Sequence, residues 1–122
     1  MSTYTSMKLA DTMHRGLEQC NLDMILGCYA DDAEMQVVDQ KNPPSSPLML
    51  KGKKAISDYY KDICGREMTH HIEREIIADN EMALTEECLY PDGTRVLAAE
   101  TFELSNGKIK RQTNVQAWDE LT

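Results

Sequence analysis

The chain has 122 residues, 41% of them hydrophobic and 28% charged, with a formal net charge of −8. That is the length of one domain, too apolar for a disordered chain and of the wrong sign to hold a phosphate backbone or an anionic membrane surface. No apolar run reaches the roughly 18 residues of a membrane span, and Met1 to Ala10 has no apolar core like that of a secretion signal. The expectation is one cytoplasmic domain over residues 1–122, with its core at about 7–118. Neither nucleic acid nor membrane is an expected partner, and the domain is large enough to fold without a metal or a disulfide.

In chain order, Ala10, Met13, Leu17 and Cys20 recur at helical spacing, which predicts a first helix over about Ser6 to Cys20. Asn21 reads as the cap of a second helix carrying Leu22, Ile25, Leu26 and Tyr29 and ending near Asp31-Asp32. Glu34 to Asp39 reads as a strand, and Lys41 to Pro47, with its three prolines, as a loop. After Gly52, the residues Ile56, Tyr59, Tyr60 and Ile63 predict a third helix that stops at Gly65. Four strands follow: Thr69 to Ala78, Met82 to Tyr90, Arg95 to Leu104 and Lys108 to Trp118. Pro91-Asp92-Gly93 and Asn106-Gly107 are turn signals between them. Helices followed by an antiparallel meander give an α+β domain with helices on one face of a curved sheet.

Cys20, Cys28, Cys64 and Cys88 form no Cys-x-x-Cys pair and have no histidine at local zinc-ligand spacing. They read as small reduced thiols, and no metal and no cofactor is expected. His70 and His71 are neighbours on a strand and point to opposite faces, so they cannot chelate one ion together. His70 shares a face with Ile72, Arg74 and Ile76, and so reaches toward the core side.

The strand faces carry the chemistry. Val96, Ala98, Phe102 and Leu104 share one face with Glu100, and Met82, Leu84, Cys88 and Tyr90 share one with Glu86. A three-residue hairpin loop at Pro91-Asp92-Gly93 pairs Glu86 with Ala98 and Leu84 with Glu100. The two carboxylates then lie on a diagonal of about 7–8 Å. In a dry site such a pair has at least one raised pKa, which makes Glu100 a candidate acid or base. The alternative is that either glutamate simply pairs with Arg74 or Arg111. In the last strand, Gln112, Asn114, Gln116 and Trp118 line either a polar pocket or the solvent side, and pattern alone does not decide.

Three stretches together resemble one family: Cys28-Tyr29-Ala30-Asp31-Asp32-Ala33, Gly52 with Ala55-Ile56, and Asn106-Gly107-Lys108-Ile109. The chain resembles SnoaL-like and ketosteroid isomerase-like proteins of the nuclear transport factor 2-like superfamily over about residues 7–118. The resemblance implies a cone-shaped, cystatin-like α+β fold, in which a curved sheet wraps the N-terminal helices around a small-molecule pocket, and a homodimer that pairs sheet to sheet. Ile77, Leu89, Leu97, Ala99 and Val115 on the outer faces agree with such a cover.

The resemblance places the isomerase base at Val37, which leaves Asp39, two residues on, as its substitute. It places the oxyanion-hole tyrosine at Met13, the protonated acid at Glu100 and a supporting tyrosine at Tyr60. It also turns Gln112, Asn114, Gln116 and Trp118 toward the pocket. The expected site is therefore Glu100 as acid or base, tuned by Glu86, with Asp39 and Tyr60 beside them. The pocket walls are expected to be Met13, Leu17, Val37, Phe102 and Trp118, with the three amides orienting a ligand. Two function classes follow. One is a cofactor-independent isomerase, cyclase or lyase acting on a carbonyl or polyketide-like compound. The other is a ligand-binding or dimerisation module without chemistry.

Overall fold

The computed structural model describes residues 2–120. Helix α1 spans Thr3–Gln19. It starts earlier than the apolar period suggests because Ser2 caps it, accepting from the Thr5 N–H. Its buried stripe is Ser6, Leu9, Ala10, Met13, Gly16 and Leu17, and it ends on Cys20 in the left-handed region at φ 50°. Helix α2, Leu22–Gly27, is capped by Asn21 as expected. A Cβ on Gly16 would sit 3.0 Å from Ile25 Cγ1, so glycine there lets the two helices approach closely.

The second helix is shorter than its period implies. Strand β1 runs Tyr29–Val38, so the Tyr29 to Ala33 stretch is strand and not helix end. Tertiary pairing explains the correction: Tyr29 lies against Ile109, and the Ile109 N–H donates to Cys28 O at 2.7 Å. Strand β2, Leu48–Lys51, follows the proline loop and was not expected; it is a short edge strand paired with β1. Helix α3 is Lys53–Cys64, and strands β3, β4, β5 and β6 are Thr69–Ile77, Glu81–Leu89, Arg95–Ser105 and Lys108–Trp118.

The six strands form one sheet in the order β2-β1-β6-β5-β4-β3. All pairs are antiparallel except β1 with β6, which run parallel. The hairpin register is as expected, with Glu86 opposite Ala98 and Leu84 opposite Glu100. Gly93 sits at φ 92°, and Tyr90 N donates to Thr94 O at 2.9 Å to close the turn.

Two register shifts decide which side chains face inward. The shift between Glu103 and Leu104 brings Ile109 to the buried face, while Gln112 and Asn114 stay on it further along β6. The shift between Ile72 and Arg74 leaves His70 and Ile72 facing inward and reverses the strand beyond them. Ile77 consequently packs on the core and Ile76 is exposed, the opposite of the expected outer face. Leu89, Leu97 and Val115 are exposed as expected. None of the described helices is long and apolar enough to cross a membrane.

Candidate active site

The sheet wraps the three helices and leaves a cavity of about 80 Å³. Its walls come from Leu17 and Cys20 at the end of α1, Tyr59, Tyr60 and Cys64 of α3, and the inner faces of the last four strands. Of the residues singled out in the sequence, Glu100, Glu86, Asn114, Gln116, Leu17, Tyr60, Asp39 and Trp118 line it. Met13, Val37 and Phe102 do not: they are 0%, 0% and 2% exposed and belong to the solid core beneath. Gln112 is also off the cavity wall, and its role is to hold Glu100.

Glu100 is 2% exposed. Its Oε1 accepts from Gln112 Nε2 at 2.8 Å and from Asn114 Nδ2 at 3.4 Å, while its Oε2 has no partner. Burial pushes this carboxyl well above its ordinary pKa, the neighbouring Glu86 carboxylate adds to the rise by its charge and by a hydrogen bond to the neutral acid, and the Gln112 amide works against it. With Oε1 already accepting from two amides, a proton on the neutral acid goes to Oε2, and the neighbouring Glu86 carboxylate is one acceptor within its reach. Arg74 and Arg111 are exposed, and neither makes an ion pair with these glutamates. Glu86 is instead held by His70, whose Nδ1 lies 2.8 Å from Glu86 Oε2.

Two hydrogen-bond chains fix the amides of β6. In one, Tyr29 donates its only hydroxyl proton to Gln112 Oε1, so Tyr60, 2.7 Å away, must donate to the Tyr29 oxygen. That turns the Gln112 amide nitrogen toward Glu100. It also uses up the Tyr60 proton, so Tyr60 supports the chain and has no proton left to donate to a ligand. In the other chain, Trp118 Nε1 donates to Gln116 Oε1 at 3.0 Å and Gln116 Nε2 donates to the Tyr59 hydroxyl at 3.0 Å. The Tyr59 proton is thereby left to point at a ligand, and burial holds that phenol well above its ordinary pKa. The family resemblance pointed to Tyr60, and the helical period alone does not rank it above its neighbour Tyr59.

Asp39 stands at the rim. Its Oδ1 accepts from the Lys41 and Asn42 N–H groups and from Asn42 Nδ2, each at 2.9 Å, and Oδ2 has no described hydrogen bond. At the same end, Arg66 Nη1 donates to the Tyr90 hydroxyl at 3.0 Å, and the Tyr90 and Trp118 rings lie 5.9 Å apart. Three buried polar atoms lack partners among the described residues: His70 Nε2, Glu100 Oε2 and Asn114 Oδ1. All three residues line this one cavity. Buried polar atoms left unpaired are rare in folded proteins, and three on one cavity wall make this cavity the candidate site.

The sequence model of the SnoaL-like domain matches residues 10–112. The chain belongs to the SnoaL-like family. A comparison with curated proteins finds no match. Among solved structures, a nuclear transport factor 2-like protein of unknown function from Mesorhizobium loti is similar with a TM-score of 0.84 at 10% identity, over 94% of this chain and 93% of that one. The Δ5-3-ketosteroid isomerase of a Mycobacterium species gives 0.70 at 17% identity, over 94% and 98%. A de novo designed protein with a curved β-sheet gives 0.76 at 18% identity, over 96% and 88%. At these identities the likeness establishes the fold and no activity, as the designed protein illustrates.

Proposed function

We propose that this SnoaL-like protein binds a compact carbonyl-bearing molecule in the cavity and promotes a proton transfer of isomerase, cyclase or lyase type without an organic cofactor. The observation that carries the reading is the unpaired Oε2 of Glu100, buried in the cavity wall while Oε1 is held by two amides. A carbonyl oxygen seated there accepts from the neutral Glu100 carboxyl and from the Tyr59 hydroxyl. Charge developing on that oxygen is then stabilised by two pre-set donors, as in sites that form an enolate next to a neutral carboxylic acid and a phenol. Glu86 tunes Glu100, and Asp39 Oδ2, the oxygen the loop leaves unused, takes the proton from the neighbouring carbon. The cavity favours a small molecule over a fused-ring one, since pockets for drug-sized ligands run to about 300–1,000 Å³.

The test is exchange in D2O. A panel of small ketones is incubated with the protein, and loss of the α-proton signal is followed by NMR. Catalysed exchange is expected, reduced about 10²–10⁴-fold by Glu100→Gln and by Asp39→Asn. A second reading, ligand binding without chemistry, is favoured by Val37, which is fully buried in the core at the place the isomerase resemblance gives to the base. Binding of the same ketones without exchange would establish that reading instead.

We further propose a cytoplasmic homodimer joined through the outer sheet face. Leu89, Leu97 and Val115 support it, exposed at 39%, 48% and 46%. Sedimentation at micromolar concentration checks it, and a lone 13.9 kDa species would exclude it.

A further inference from the structure

His70, Glu86 and Cys88 bring three different donor atoms to one point of the cavity wall. His70 lies opposite Cys88 across the β3–β4 ladder, and Glu86 is two residues before Cys88 on the same face. The atoms form a closed triangle: Nδ1 to Oε2 is 2.8 Å, Nδ1 to Sγ is 3.3 Å and Sγ to Oε2 is 3.7 Å. A tetrahedral zinc ion, with bonds of about 2.0–2.3 Å, separates nitrogen, oxygen and sulfur ligands by roughly 3.3–3.6 Å. The triangle therefore needs adjustments of about half an ångström at most to become one face of that tetrahedron. The scaffold is two paired strands, and the His70 and Glu86 side chains are only 5% and 8% exposed.

We propose that His70, Glu86 and Cys88 bind a borderline-soft divalent cation such as Zn²⁺, with the fourth position open to the cavity. A thiolate with an imidazole selects zinc-like ions over Mg²⁺ and Ca²⁺, which take oxygen ligands. Three protein ligands with one vacant position are the arrangement of a reactive or ligand-binding zinc, whereas structural sites are closed by four. The vacant position faces the cavity in which Glu100 Oε2 and Asn114 Oδ1 lack partners, so an ion-bound water or ligand oxygen has polar atoms to meet. The inference does not rest on the proton-transfer reading: Glu86 is the one residue the two share, and neither Glu100 nor Asp39 is a ligand. Local spacing hides the set: His70 and Cys88 are 18 residues apart and meet only through strand pairing.

Cobalt is the probe. Co²⁺ added to the metal-free protein is expected to give the near-ultraviolet band of a thiolate–cobalt bond and the visible bands of a four-coordinate ion, with Zn²⁺ displacing both. Cys88→Ser should abolish the near-ultraviolet band, and His70→Gln or Glu86→Gln should weaken binding about tenfold or more. Cys20→Ser and Cys64→Ser alter thiols of the same cavity that are outside the donor set, and should keep the band. Zn²⁺ should also raise the thermal midpoint of the wild type and of these two controls, but not of Cys88→Ser. Circular dichroism establishes that each variant is folded. The proposal is overturned if Co²⁺ gives no thiolate band, if the band survives in Cys88→Ser, or if it is lost only with Cys20 or Cys64. A wild type that fails to bind Co²⁺ and Zn²⁺ leaves a plain hydrogen-bonded triad.

Discussion

Tyr29→Phe should be far more damaging than Tyr60→Phe, although each removes one oxygen from the same buried pair. Tyr29 is 1% exposed, and its hydroxyl is the middle of the chain: it accepts from Tyr60 and donates to Gln112. Removing it deletes two hydrogen bonds and leaves the Tyr60 proton and Gln112 Oε1 unpaired where water does not reach. Each buried group left without its partner costs about 1–3 kcal/mol, the lost bond included, so the two together give an expected loss of roughly 2–6 kcal/mol. The ring stays, so no cavity term is added. Tyr60→Phe removes only the terminal donor, and Tyr29 still donates to Gln112; about 1 kcal/mol is expected. Urea unfolding followed by circular dichroism reads both. With an m-value of about 1–3 kcal/mol/M, Tyr29→Phe should lower the midpoint by roughly 1–3 M at unchanged m. Equal losses for the two variants, or a larger one for Tyr60→Phe, would refute the direction assigned to the chain.

Phe102→Ala should cost about 3–5 kcal/mol in the same assay, because the ring is core and not pocket wall. Gly93→Ala should cost about 1–2 kcal/mol purely from its positive φ, since nothing lies within 4 Å of an added Cβ. Burial opposes charging of His14, but Glu75 and Glu18 outweigh it and raise its pKa above 6.5. The folded state then binds the proton more tightly, so this contribution is present below pH 6.5 and fades as pH rises through the raised value. Glu75→Gln should flatten the stability difference between about pH 5.5 and pH 8, measured by urea midpoints with Glu18 and His71, the other groups of that cluster, left intact. An unchanged difference would exclude the His14–Glu75 contact as its source.

The fold and the central carboxylates were legible because period and turn chemistry agree in the last four strands. Asn106 and Gly107 both take positive φ, as an Asn-Gly hairpin requires, and Gly93 fixes the register that puts Glu86 and Glu100 on one face. What was not legible depends on contacts between distant residues. Tyr29 to Ala33 carries helical neighbours but is drawn into a strand by pairing with β6. The register shift in β3 sends Ile77 inward, which no alternation rule foresees. Met13, Val37 and Phe102 have the right apolarity for a pocket wall, yet only packing tells wall from core. The His70–Cys88 pairing was hidden by the same shift in β3: a turn at Asp79-Asn80 with Ala78 against Glu81 would place His70 opposite Leu89, and only the register shift between Ile72 and Arg74 brings Cys88 across from it.

The central claim is that Glu100 Oε2 and the Tyr59 hydroxyl form a ready-made seat for one oxygen of a small ligand. Soaking crystals of the protein with a set of small ketones tests it most directly. The account predicts density in the cavity with a ligand oxygen at hydrogen-bond distance from both atoms, and none in crystals of Glu100→Gln combined with Tyr59→Phe. Ketones found only on the outer surface, with the cavity closed by its own side chains, would contradict it.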